Sequence, residues 1–227
     1  LLTTQHSTTL RLDILKNKLL PIYKLNTIIL KLKNMKKSLL SLAFVAIFGF
    51  SATASTPIDG EKKQIKVSES TVTWKGYKVT GEHNGNINLK SGHLEMNGKK
   101  LTGGEFVIDM TSISCNDLEA GKGKEKLEGH LKSADFFGVE SNPTSKLVFT
   151  SVKAMNNNSY TVTGDLTIKG ITKPVTLVVS MFENKASATM KVDRTKFDIK
   201  YGSGSFFDNL GDKAIYDDFD LVVDLAL

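Results

Sequence analysis

From Thr71 onward the apolar residues of this chain fall mostly at alternate positions, which is the period of a strand buried on one face. The clearest stretch is Asp165 to Val179, DLTIKGITKPVTLVV. Leu166 and Ile168 alternate with Asp165, Thr167 and Lys169, and the alternation resumes after Gly170 through Val175, Leu177 and Val179. This predicts a hairpin. Pro174 lacks a backbone donor, so it belongs near the start of the second strand, where a missing ladder bond matters least.

The same period extends in both directions. Val72 and Trp74 share one face, as do Ile87 and Leu89, Leu94 and Met96, and Phe106, Ile108 and Met110. Ser91-Gly92 and Asn97-Gly98 read as turns between them. After Pro143 the strands predicted are Leu147–Ala154, Tyr160–Lys169, Lys173–Phe182 and Ala186–Val192, with Asn156 to Asn158 as a turn. Phe197 and Ile199 continue the pattern, and Phe219 to Leu225 closes it. Eight or so short antiparallel strands of even length predict a sandwich or a closed barrel.

One interval breaks the period. Between Ile113 and Pro143, Leu118, Leu127 and Leu131 recur at helical spacing, and Asn116 or Asp117 is suited to cap a helix. Gly121, Gly123 and Gly129 each cost about 1 kcal/mol relative to alanine inside a helix, so the expectation is a loop with one or two short helical turns. The run Gly129 to Phe137, GHLKSADFF, is too apolar for a solvated loop. It is either a core plug at a barrel end or a lid on an apolar cavity.

Composition changes the picture at the N-terminus. Residues up to Ala54 hold 8 Lys and Arg against one acid, Asp13, so the chain's 30 basic and 24 acidic residues leave 22 against 23 beyond it. The remainder is close to neutral, and the overall charge of +6 gives no footprint for a nucleic-acid partner. Met35-Lys36-Lys37, the apolar Leu39–Phe50 and the small-x-small Ala52-Thr53-Ala54 make residues 35–54 a secretory signal peptide. Residues 1–34 precede the first methionine and read as an upstream over-extension of the reading frame, with a long n-region as the alternative. Residues 55–227 are then one exported domain, periplasmic or secreted. With a single cysteine, Cys115, they have no lipid-anchor site at the cleavage point and no internal disulfide.

Candidate chemistry is sparse. HExxH, CxxC, a P-loop and the G-x-S-x-G elbow are all missing from the sequence. His83, His93 and His130 lack paired metal-ligand spacing, and Cys115 has no base near it in sequence, which suits a small buried side chain. The expectation is a protein with no cofactor, no metal and no catalytic residue.

Three segments carry a family resemblance: GHLKSADFF with Asn142-Pro143, then GDLTIKGITKPVTL from Gly164, then VDRTKFDIKYGS from Val192. Together, in this order, they resemble the YceI-like family of lipid- and polyisoprenoid-binding proteins. The resemblance implies an all-β fold, a lipocalin-like eight-stranded antiparallel β-barrel, holding a long-chain isoprenoid or acyl lipid in its lumen, often as a homodimer. WKGYKVTGEHNG, from Trp74 to Gly85, departs from the family, whose members commonly carry a shorter hydrophobic strand and G-x-F there.

In such a barrel the inward set predicted from the alternation is Phe106, Ile108, Phe149, Leu166, Ile168, Leu177, Val179, Leu221 and Val223. Leu131, Phe136 and Phe137 close the lumen. Trp74, Met110, Phe197 and Ile199 complete the candidate ligand-binding residues. The function expected is non-catalytic carriage or sequestration of lipid in the cell envelope. A packed-core barrel for protein interaction or stress response, and less readily a lipid-modifying enzyme, are the alternatives.

Overall fold

The computed structural model describes residues 60–227. The over-extension, the signal peptide and the cleavage point at Ser55 lie outside the described residues. Nine strands form one antiparallel sheet that closes on itself. They are β1 (Glu61–Gln64), β2 (Thr71–Lys78), β3 (Gly81–Asn97), β4 (Lys100–Cys115), β5 (Thr144–Ala154), β6 (Ser159–Ile168), β7 (Ile171–Met181), β8 (Lys185–Asp193) and β9 (Ile215–Ala226). The order β3-β2-β9-β8-β7-β6-β5-β4 returns to β3 through the β3–β4 pairing, so the barrel has eight staves.

β1 and β2 belong to one stave. Both pair antiparallel with β3, β1 at Leu94 and Met96 and β2 at Ile87. A single 3-10 turn at Val67–Glu69 separates them. Closure pairs most of the sheet's edges, which limits edge-to-edge association in a small all-β domain, and leaves the outer side of β1 and β7 before Val178 without a partner strand. Among the described residues no helix is long and apolar enough to cross a membrane.

The β6–β7 hairpin forms as its alternation predicts. Lys169 and Gly170 take the turn with φ of 53° and 74°, and Ile168 pairs with Ile171 across it. Pro174 sits opposite Asp165, while pairing with β8 begins only at Val178. Its missing donor therefore leaves no ladder bond open.

The structure differs from the sequence expectation in several respects. Ser91-Gly92 is not a turn but lies inside the 17-residue β3. Its glycine is required because a Cβ there would come 2.7 Å from Cδ1 of Phe106. The turn at the end of β3 is Gly98-Lys99, one residue later than Asn97-Gly98, with Asn97 pairing Lys100. Strand lengths run from 4 to 17 residues and are not even. Finally, Phe197 and Ile199 are not on a strand. Asp193 ends β8 by accepting hydrogen bonds from the Thr195 amide (3.0 Å) and hydroxyl (2.6 Å), which starts a 3-10 turn over Arg194–Phe197.

The interval between β4 and β5 holds one helix, α1 (Lys124–Lys132). It starts after Gly123 at φ 106°, and neither Asn116 nor Asp117 caps it. The GHLKSADFF run carries α1 into a turn that covers one end of the barrel. Lys169 Nζ donates to the Ala134 carbonyl at 3.1 Å, tying this cover to the β6–β7 turn. Leu101, Val162 and Met181 are buried in the packed core.

Candidate functional site

The barrel is hollow beneath α1. A cavity of about 180 Å³ lies there, walled almost wholly by apolar side chains. By the measure of one probe sphere per water, it has room for about a dozen water-sized groups.

Strand alternation builds this wall. β4 contributes Phe106, Ile108 and Met110, β5 Leu147 and Phe149, and β6 Leu166 and Ile168. β7 contributes Leu177 and Val179, β9 Phe219, Leu221 and Val223, and β2 Val72 and Trp74. Leu131, Phe136 and Phe137 from the α1 segment also line it. Of the residues expected to line a lumen, only Phe197 and Ile199 do not. Both are almost fully buried, at 1% and 0% exposure, in the packing around the 3-10 turn after β8.

Several wall residues face open space. Trp74, Ile108, Phe149, Leu221 and Val223 point inward yet are only partly buried. Side chains in a filled core would be sealed by their neighbours, since interiors pack as densely as organic crystals.

Polar groups gather at the α1 end. Arg194 is 2% exposed and borders the cavity. Its Nε donates to the Tyr216 carbonyl (3.0 Å), Nη1 to Ile199 (2.7 Å) and Nη2 to Ile215 (3.0 Å). Asp217 lies 3.6 Å from Nη2 and supplies the counter-charge. Burial lowers the guanidinium's proton affinity, and Asp217 and Asp193 oppose that. The Arg194 carbon lies over the Phe136 ring, and Phe137 meets Phe219 edge-on at 6.4 Å between centroids. Tyr77, Tyr216 and Asp218 also border the cavity, where β2 and β9 lose register between Gly76 and Lys78. The buried Ser145 hydroxyl donates to Met110 Sδ at 3.0 Å.

Sequence reasoning missed Arg194. The available signal was its place in VDRTKF, where Asp193 and Thr195 mark a cap and therefore an arginine turned inward at a strand end. It also missed Ile87, Leu89 and Met190, which line the cavity and follow the same alternation.

The three histidines do not converge. His93 faces Glu95 at 3.6 Å, and His130 meets Tyr201 edge-on at 4.4 Å between centroids. His83 instead meets Asp117 and Cys115 outside the cavity wall. Asp117 is held ionised to about 2: burial alone would raise its pKa, but the Asn84 amide, His83 and the Cys115 thiol outweigh it. Cys115 is fully buried, and its thiol is pushed up by that burial and by Asp117.

Residues 63–227 match the family model described as the YceI-like domain. Protein YceI of Escherichia coli O17:K52:H18 is 31% identical over 150 residues, 63% of this chain and 71% of the relative. A UPF0312 protein of Pseudomonas aeruginosa strain LESB58 matches to the same extent. Among solved structures, Burkholderia cenocepacia BcnA superposes with a TM-score of 0.58 at 19% identity, over 72% of this chain and 99% of that one. A polyisoprenoid binding domain from Saccharophagus degradans gives 0.51 at 13% identity, over 72% and 97%. At these identities the two structures establish a shared fold.

Proposed function

The chain belongs to the YceI-like domain family, and from that premise and the hollow barrel we propose that it carries or sequesters an isoprenoid or fatty-acyl lipid without chemically altering it. The observation that carries the reading is the apolar cavity of about 180 Å³ beneath α1. An apolar cavity of this size stays dry when empty and takes up apolar molecules. Each methylene moved from water into it contributes about 0.8 kcal/mol, so a dozen give on the order of 10 kcal/mol before the several kcal/mol that association costs. The enclosed part of the ligand is thus a slender chain of about a dozen carbons. The α1 segment covers one end of this space with Leu131, Phe136 and Phe137. Arg194 sits at that end and suits a ligand whose head group is anionic or an acceptor.

The fold of the Saccharophagus degradans polyisoprenoid binding domain supports this ligand class. The non-catalytic reading is supported by Ser145, whose hydroxyl faces Met110 Sδ instead of a base. The signal peptide reading places the carrier in the periplasm or a secreted space.

Organic extraction of the purified protein, followed by mass spectrometry, tests the proposal. The expected result is one isoprenoid or acyl lipid per chain. Protein that is lipid-free as isolated and does not take up a fluorescent fatty acid would overturn it.

A further inference from the structure

Outside the lumen, at the root of the α1 cover, three side chains with metal-ligating atoms meet. His83 comes from the start of β3 and Cys115 from the end of β4, brought together by the pairing of Gly85 with Cys115. Asp117 follows two residues later. Asp117 Oδ2 lies 2.8 Å from His83 Nδ1, and Oδ1 accepts from Cys115 Sγ at 3.2 Å. The three donor atoms all fall within 4.8 Å of one another.

The backbone fixes these groups. Asn116 donates to the Asn84 carbonyl (2.9 Å), and Asn84 donates to Asp117 Oδ1 (2.9 Å), so the β3–β4 ladder continues into the cluster. Glu128 of α1 accepts from the Cys115 amide at 2.8 Å and adds a second carboxylate beside it. The His83 and Asp117 side chains are each 27% exposed, while Cys115 is 0% exposed. An ion would therefore enter across the imidazole and carboxylate and meet sulfur at the floor.

We propose that His83, Cys115 and Asp117 form a binding site for a zinc-class divalent transition metal. One nitrogen, one sulfur and one carboxylate oxygen are the ligands zinc takes in tetrahedral sites, whereas calcium and magnesium take oxygen alone. Water fills the fourth position. Binding forms a metal–sulfur bond and releases the Cys115 thiol proton to solvent. His83 binds through Nδ1 and keeps its proton on Nε2. The ion then clips the start of β3, the end of β4 and the segment leading to α1 into one unit.

Cobalt is the probe, because a thiolate bound to Co²⁺ gives a charge-transfer absorption that oxygen and nitrogen ligands do not. Chelator-treated full-length protein is titrated with Co²⁺ and then with Zn²⁺. The expected result is one cobalt per chain with the charge-transfer band, displaced by zinc. The band disappears in Cys115→Ser and is unchanged in His93→Gln. In His83→Gln the affinity falls by more than the roughly hundredfold that losing an outer partner can produce. Wild-type protein that shows no such band at saturating Co²⁺ overturns the proposal whatever the variants do. A band that persists in Cys115→Ser, or an affinity unchanged in His83→Gln, overturns it as well.

Discussion

The guanidinium carbon of Arg194 lies 5.5 Å from the centroid of the Phe136 ring. That contact joins the end of β8 to the cover formed by the α1 segment, and so VDRTKF to GHLKSADFF. One supplies a buried cation with a flat upper face, and the other supplies the aromatic ring that rests on it.

Replacing Arg194 by methionine keeps much of the volume but leaves the carbonyls of Ile199, Ile215 and Tyr216 without their donor. A buried acceptor left open costs about 1 to 3 kcal/mol, so the variant should lose about 3 kcal/mol or more. Arg194→Lys keeps the charge but not the planar fork, and should lose nearly as much. Urea denaturation checks both. A methionine variant with an unchanged midpoint would show that the guanidinium does not hold this end of the barrel.

Gly85 tests the packing between β3 and β4. A Cβ there would overlap the Ser114 carbonyl oxygen and come 2.7 Å from Cζ2 of Trp74. The same carbonyl accepts from Trp74 Nε1 at 3.1 Å. Gly85→Ala should therefore push the strands apart, break the indole bond and cost about 3 kcal/mol, the upper end for overpacking. Trp74 is the chain's one tryptophan, so its emission reports the site directly. Emission and stability both unchanged would refute the close approach.

These positions show what was legible in the sequence. The β6–β7 hairpin was, because its alternation, the break at Gly170 and its proline all agree locally, although Lys169, read as the end of the first strand, takes the turn. The wall of the cavity was largely legible too, since a period of two assigns Leu166, Ile168, Leu177 and Val179 to one face once the fold is a barrel. Gly92 was misread because a glycine demanded by a ring on the neighbouring strand looks the same in sequence as a turn glycine. Phe197 and Ile199 preserve the period of two while the backbone leaves the strand, so alternation alone placed them in the wrong element. The meeting of His83 with Cys115 and Asp117 depends on β3 and β4 pairing across more than thirty residues, and no local spacing encodes it.

A pH experiment isolates one surface network across β2, β8 and β9. Asp220 accepts from Lys191 Nζ at 2.8 Å and from the Tyr77 hydroxyl at 2.6 Å. Lys191, then Tyr77, lower its pKa from 3.8, and Asp220 in turn raises that of Tyr77 from 10.0. A depressed carboxylate adds stability that is present above its unfolded pKa and lost as pH falls through the folded value. A raised phenol adds stability that is present below its unfolded pKa and lost as pH rises through the folded one. Wild type should thus exceed Asp220→Asn in denaturation midpoint between about pH 4 and pH 10, with the gap closing on both sides. A gap that stays constant down to pH 2 would mean that the ionised carboxylate contributes nothing.

The lumen itself is tested most cleanly by filling it. Val179 is 3% exposed, pairs with Tyr160 and Ala188, and borders the cavity. A charge there, as at Ile168→Asp, would place an unpartnered carboxylate in an apolar wall and harm folding and binding together. Val179→Phe adds volume without charge. In a hollow barrel the ring enters space that the ligand otherwise occupies, so bound lipid falls while the melting temperature stays nearly constant. In a filled core the same ring must displace its neighbours at about 1 to 3 kcal/mol. Differential scanning calorimetry and quantitative lipid extraction on the same preparation separate the two. A variant that melts several degrees lower and retains all its lipid would remove Val179 from the ligand's wall, and with it the inward face assigned to β7.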